Sequence, residues 1–111
     1  MSISIDLQGR VVLVCGVARG GIGGATARRV AASGATVFAV DHRQTFIDQT
    51  LADIEAAGGK AEGMVADLTD PDQSALVVPA VLQKLGRLDG VANVAGGVPE
   101  DEWRRLEETP L

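Results

Sequence analysis

No tyrosine occurs among the 111 residues, and the other aromatic side chains number three: Phe38, Phe46 and Trp103. The chain therefore offers no phenol to act as an acid or a base. Cysteine is nearly absent as well. Cys15 alone excludes an internal disulfide framework and a cysteine-based metal cluster, and its place in an apolar run predicts a small buried hydrophobe. No apolar run reaches the roughly 18 residues of a membrane span. The opening segment, Met1-Ser-Ile-Ser-Ile-Asp-Leu7, has neither the basic stretch nor the apolar stretch of a secretion signal, so a reducing cytoplasmic location is expected. Positive charge is short: ten Lys and Arg face fifteen Asp and Glu, a net charge of -5. With no basic cluster either, nucleic acid is not an expected partner.

What is present is a regular alternation of strand and helix in a length that suits one domain, residues 1–111. Arg10-Val-Val-Leu-Val-Cys15 reads as a buried strand, and a helix follows from about Ile22 to Ser33, ended by Gly34. Thr36–Val40 is a second strand ending at Asp41. Residues 44–57 place Ile47, Leu51 and Ile54 on one helical face before Gly58-Gly59. Residues 60–67 read as a third strand. A helix over 71–85 starts at an Asp70 N-cap with Pro71 at its first position, and Pro79 inside it should kink it. Residues 88–95 form the fourth strand. Such alternation predicts an α/β fold of the doubly wound Rossmann type, with a parallel sheet in the order 3-2-1-4. The ligand crevice is expected where that order reverses, above strands one and four.

Between the first strand and its helix lies Gly16-Val-Ala-Arg-Gly-Gly-Ile-Gly-Gly24. Glycines there let backbone amides approach a pyrophosphate, and the helix amino terminus offers it unpaired N–H groups. About 20 residues beyond Gly21, Asp41 can accept hydrogen bonds from both hydroxyls of an adenosine ribose. A carboxylate at that place repels a 2′-phosphate by a few kcal/mol at an effective dielectric of about 20, which favours NAD over NADP. Arg19 and Arg43 pull the other way. His42 reads as a solvent-facing neighbour of the adenosine pocket. Asp67 can serve as a helix cap near the third strand's loop. Asn93 either serves the cofactor or satisfies a strand-end carbonyl. Trp103, Arg104 and Arg105 belong either to a substrate-flanking loop or to the domain surface.

Three further motifs sharpen the loop: Ala66-Asp67-Leu68-Thr69, Leu88-Asp89-Gly90 and Asn93-Val94-Ala95-Gly96. Together with the glycine loop, from about Leu7 to Gly96, they resemble the amino-terminal half of the short-chain dehydrogenase/reductase family. The resemblance implies an oxidoreductase that moves hydride between a nicotinamide dinucleotide and an alcohol or ketone. Carried over by position, it assigns the cofactor to Gly16, Arg19, Gly21, Ile22 and Gly23, then to Asp41, His42, Asp67 (an adenine contact, against the helix-cap reading) and Leu68, and finally to Asn93, Ala95 and Gly96. It also implies a homo-oligomer, paired through helices that follow the fourth strand.

The match has departures. Four residues rather than three separate Gly16 from Gly21, an insertion that glycines reaching φ > 0 are expected to absorb. Cys15 stands where the family has Thr, and Val94 where it carries a second Asn. The family's Ser and its Tyr and Lys four residues apart have no counterpart here, where the lysines are Lys60 and Lys84. A tyrosine with a lowered pKa supplies the proton that hydride transfer to a carbonyl requires, so these 111 residues alone are expected to be inactive. Residues 97–111 read as a loop with Thr109-Pro110-Leu111 opening a further helix, so the chain is expected to be the cofactor-binding part of a longer one. Two other readings stand beside this one. One is a non-catalytic dinucleotide-binding module or pseudoenzyme. The other is a methyltransferase, whose fold also carries a glycine loop and an acidic residue after strand two, though the Gly16–Gly24 and Asn93–Gly96 patterns argue against it.

Overall fold

Alternating apolar residues in consecutive strands create two buried faces, and each needs its own helical layer. In the structure, a computed structural model that describes residues 3–96, 103 and 105–108, the strands are β1 (Val11–Cys15), β2 (Thr36–Asp41), β3 (Lys60–Val65) and β4 (Gly90–Asn93). The helices are α1 (Ile22–Ala32), α2 (Gln44–Ala56), α3 (Pro71–Ser74) and α4 (Val77–Leu85), with a 3₁₀ turn at Leu106–Glu108. The sheet is parallel throughout and its order is β3-β2-β1-β4, as the sequence predicts. Val11, Leu13 and Cys15 join Phe38 and Val40 on one face, under Val77 and Val81 of α4. The alternate residues Val14, Val37 and Ala39 face Ala27 and Ala31 of α1 and Ile47 and Ile54 of α2. This period of two is why both central strands read as continuous apolar runs. Cys15 lies in the first core, and burial pushes its thiol pKa up.

Local signals decide most boundaries. Gly34 ends α1 in the left-handed region (φ +103), its N–H closing on the Ala31 carbonyl at 3.0 Å. Asp70 caps α3 through Oδ1, which accepts from the Asp72 N–H at 2.9 Å. The single helix expected over 71–85 is instead two, separated at Ala75 and Leu76. A proline ring crowds the carbonyl four residues back, here that of Ala75, and lacks the N–H needed in a helix interior. The chain resolves this by restarting, so that Pro79 falls in the first turn of α4, where an N–H has no intrahelical acceptor anyway. The outer strands are also shorter than expected. After Val65, the Asp67 N–H turns to Gln73 Oε1 at 2.8 Å and leaves the sheet.

The start of β4 is tied to the start of β1 by Asp89. Its Oδ2 accepts from the Val11 N–H and from Arg87 Nε, both at 2.8 Å, and Oδ1 accepts from Arg87 Nη2 at 2.7 Å. The Arg87 guanidinium first, and the Val11 N–H second, hold this carboxyl at about 2, below its ordinary 3.8. A carboxyl depressed in the folded state contributes stability above its unfolded value, and that stability disappears as pH falls through the folded one. The urea midpoint is therefore expected to drop as pH falls from near 4 towards 2, and Asp89→Asn should flatten part of that drop. Superimposable acid profiles for the two proteins would exclude this role.

Candidate functional site

Above the carboxyl ends of the strands, Gly16 turns the chain out of β1 with φ +85. A Cβ at that position would lie 2.8 Å from the Ala95 N, so the loop backbone rests directly on the chain just after β4. Residues 18–21 of the loop form a turn closed by the Gly21 N–H on the Ala18 carbonyl at 2.9 Å. Within the loop Gly16 takes positive φ while Gly20 and Gly21 do not, and Gly20 has open space around it. Gly23 and Gly24 are required for space instead. A Cβ on Gly23 would overlap the Gly16 carbonyl, and one on Gly24 would overlap the Ala18 carbonyl. No side chain caps α1, which leaves its first-turn N–H groups available at the cleft wall.

Asp41 holds this loop in place. The residue is 7% exposed; Oδ2 accepts from the Val17 N–H at 2.9 Å, and Oδ1 accepts from the Arg43 N–H at 3.0 Å. His42 Nδ1 lies 3.3 Å from the same Oδ1. On the far side of the loop, the buried Thr50 hydroxyl of α2 donates to the Val17 carbonyl at 2.9 Å. Both backbone groups of Val17 are thus satisfied by side chains from other elements. Thr50 escapes a reading of the sequence because it lies 33 residues from its acceptor, inside a helix whose pattern says nothing about hydroxyls.

These elements enclose a cleft of about 860 Å³. Gly16, Gly21, Ile22, Gly23, Asp41, His42, Asp67, Leu68, Ala95 and Gly96 all line it. Two residues assigned to the cofactor by resemblance do not. Arg19 turns to α2, where Nε and Nη2 bind the two carboxylate oxygens of Asp53 at 3.0 and 2.8 Å. Asn93, the last residue of β4, is exposed and outside the cleft wall. Arg43 and Phe46 line it in addition, with the Arg43 guanidinium 5.3 Å from the Phe46 ring centroid. Asp67 is not a helix cap. Its Oδ1 accepts from the Thr69 hydroxyl at 2.6 Å and the Thr69 N–H at 2.9 Å, and these bonds, the hydroxyl first, lower its pKa. Trp103 is exposed; Arg104 and the helix start at residues 109–111 lie outside the described residues.

The fold has known counterparts. The family described as short chain dehydrogenase matches residues 10–110. This chain belongs to that family. Membership replaces the methyltransferase reading. Among curated relatives, the chain is 37% identical over 114 residues to a (5R,7aS)-5-hydroxy-7a-methyl-1-oxo-2,3,5,6,7,7a-hexahydro-1H-indene-carboxyl-CoA reductase of Mycobacterium tuberculosis, covering 95% of this chain and 44% of that protein. It is 42% identical over 102 residues to a 3-oxoacyl-(acyl-carrier-protein) reductase of Thermotoga maritima, covering 92% of this chain and 41% of that one. A crystal structure of a short chain dehydrogenase from Mycobacterium smegmatis superimposes with a TM-score of 0.79 at 32% identity, over 92% of this chain and 48% of the other. The chain spans less than half the length of each. Among the described residues, no helix is long and apolar enough to cross a membrane.

Proposed function

We propose that this chain is the cofactor-binding part of an oxidoreductase that uses NAD(H) in preference to NADP(H) and acts on an alcohol or ketone. The observation that carries the reading is the convergence, in one cleft, of a close-packed glycine loop, an uncapped helix terminus and the Asp41 carboxylate. A side chain at Gly16 would collide with Ala95, and one at Gly23 with the Gly16 carbonyl, so either would displace the loop backbone that this reading sets against a pyrophosphate. In this reading Gly16, Gly21, Ile22 and Gly23 cradle the pyrophosphate and Asp41 accepts from the ribose hydroxyls, with His42 beside it. Asp67 and Leu68 flank the adenine, and Ala95 and Gly96 close the opposite end. The bound dinucleotide supplies or accepts the hydride.

Asp41 also sets the preference. Its carboxylate opposes a 2′-phosphate, and one to two orders of magnitude in favour of NAD is expected from about 1.4 kcal/mol per tenfold. Arg19 is engaged by Asp53, so among the two arginines considered, only Arg43 lies in the cleft to oppose this. Proton transfer is assigned elsewhere in the whole protein. Lys60 begins β3 at the far end of the sheet, and Lys84 lies on α4, 5.9 Å from the Phe38 ring centroid. Titration of the intact protein with NADH, NADPH and S-adenosylmethionine tests the reading. NADH should bind at least tenfold tighter than NADPH, and S-adenosylmethionine should not bind. Failure to bind NADH would overturn it, and binding without any turnover of alcohols or ketones would leave a non-catalytic dinucleotide module.

A further inference from the structure

Helix α2 reaches the back of the glycine loop, outside the cleft, with two side chains one turn apart, Thr50 and Asp53. The buried Thr50 hydroxyl holds the Val17 carbonyl at 2.9 Å. Two residues further on, Arg19 extends away from the cleft, and its Nε and Nη2 donate to the two carboxylate oxygens of Asp53. This is the two-pronged geometry that fixes orientation as well as distance. Arg28 of α1 joins the cluster, its Nη1 4.0 Å from Asp53 Oδ2 and donating to the Arg19 carbonyl at 3.4 Å. Arg19 is the one charged residue between Gly16 and Gly24, and it is spent on α2. An ion pair this exposed adds little to global stability. What it fixes is local, a stretch whose glycines have the most backbone freedom to lose. Open space surrounds Gly20, so side-chain packing does not steady the turn there.

We propose that Asp53 is a positioning residue for the dinucleotide: it holds the glycine loop by the Arg19 side chain and so presets the backbone N–H groups that receive the pyrophosphate. The inference rests on the dinucleotide reading above, in which that backbone faces the pyrophosphate. Order already present in the loop is order the ligand does not have to impose, and imposed order subtracts from affinity. The cost of ordering one long side chain corresponds to about three- to tenfold in a dissociation constant. Two other roles for the pair give the opposite sign. If Arg19 were itself a phosphate ligand, Asp53 would compete for it, and removing the carboxylate would free the guanidinium and tighten binding. If Asp53 were only a nearby charge, its loss would likewise favour an anionic ligand. A handle on the loop predicts weaker binding.

The experiment measures the dissociation constants of NADH and of adenosine for the intact protein, for Asp53→Asn, for Arg19→Gln and for the double variant. NADH should bind each single variant about three- to tenfold more weakly. The double variant should be no weaker than either single, because the same tie is lost in all three. Adenosine carries no phosphate and should bind all four proteins alike. An Asp53→Asn protein that binds NADH as tightly as the wild type, or more tightly, overturns the positioning role and leaves the dinucleotide reading intact. So do losses that multiply in the double variant, and so does a parallel loss of adenosine, which a general loosening of the domain would produce. If the wild type binds no NADH, the dinucleotide reading fails and the positioning role fails with it.

Discussion

Gly23→Ala is expected to lower stability by about 2 kcal/mol and to weaken NADH at least tenfold. Alanine should improve a helix interior by roughly 0.5–1 kcal/mol relative to glycine, so an observed loss has the opposite sign from intrinsic propensity. It arises because the new methyl group overlaps the Gly16 carbonyl. Either α1 must move away from β1, or Gly16 must leave its contact with Ala95. Both displacements separate the backbone N–H groups that would surround a pyrophosphate. Gly20→Ala is the matched control in the same loop: nothing lies within 4 Å of its added Cβ and its φ is not positive. Its stability should stay within about 0.5 kcal/mol of the wild type. Thermal melts and NADH titrations on both variants decide the matter. A Gly23→Ala protein that melts at or above the wild-type temperature would show that the loop tolerates the methyl group.

Asp41→Asn is expected to cost about 2 kcal/mol, close to 10 °C in melting temperature for a domain of this size. The two carboxylate oxygens now receive two backbone N–H groups, those of Val17 and Arg43. An asparagine offers one acceptor and one NH₂ group, so one of those donors meets another donor in a site that is 7% exposed. In the proposed reading the same change removes the charge that opposes a 2′-phosphate, and the NADPH-to-NADH affinity ratio should rise about tenfold or more. A shift in that ratio with an unchanged melting temperature would mean that the ties to Val17 and Arg43 contribute nothing to the fold.

The core of this fold was legible because buried parallel strands are apolar on both faces, and glycines and caps mark where each helix must stop. That reading located β1, α1, β2 and α2 within a residue or two at each end. It misplaced the break near Pro79 because the steric conflict falls on the carbonyl of Ala75, four residues upstream, and the chain restarts its helix there instead of bending at the ring. In the cleft, the glycines and Asp41 were legible as a pattern of residue types. The partners of Arg19 were not, since the guanidinium reaches Asp53 on α2 across 34 residues. Nor was the structural duty of Asp41, which follows from the parallel register that sets Cys15 beside Val40 and so brings Val17 within reach of the next side chain along.

That double duty bears on how such a protein can change its cofactor over evolutionary time or by engineering. In the proposed reading, a substitution at Asp41 that welcomes a phosphate also unfastens the loop that would hold the rest of the dinucleotide, so the most direct route crosses a stability deficit. His42 and Arg43 line the same cleft from the exposed side and anchor no part of the loop through their side chains. Changes there can accumulate without disturbing the scaffold. Adaptation is thus expected to proceed through the two residues after the carboxylate, with Asp41 left in place.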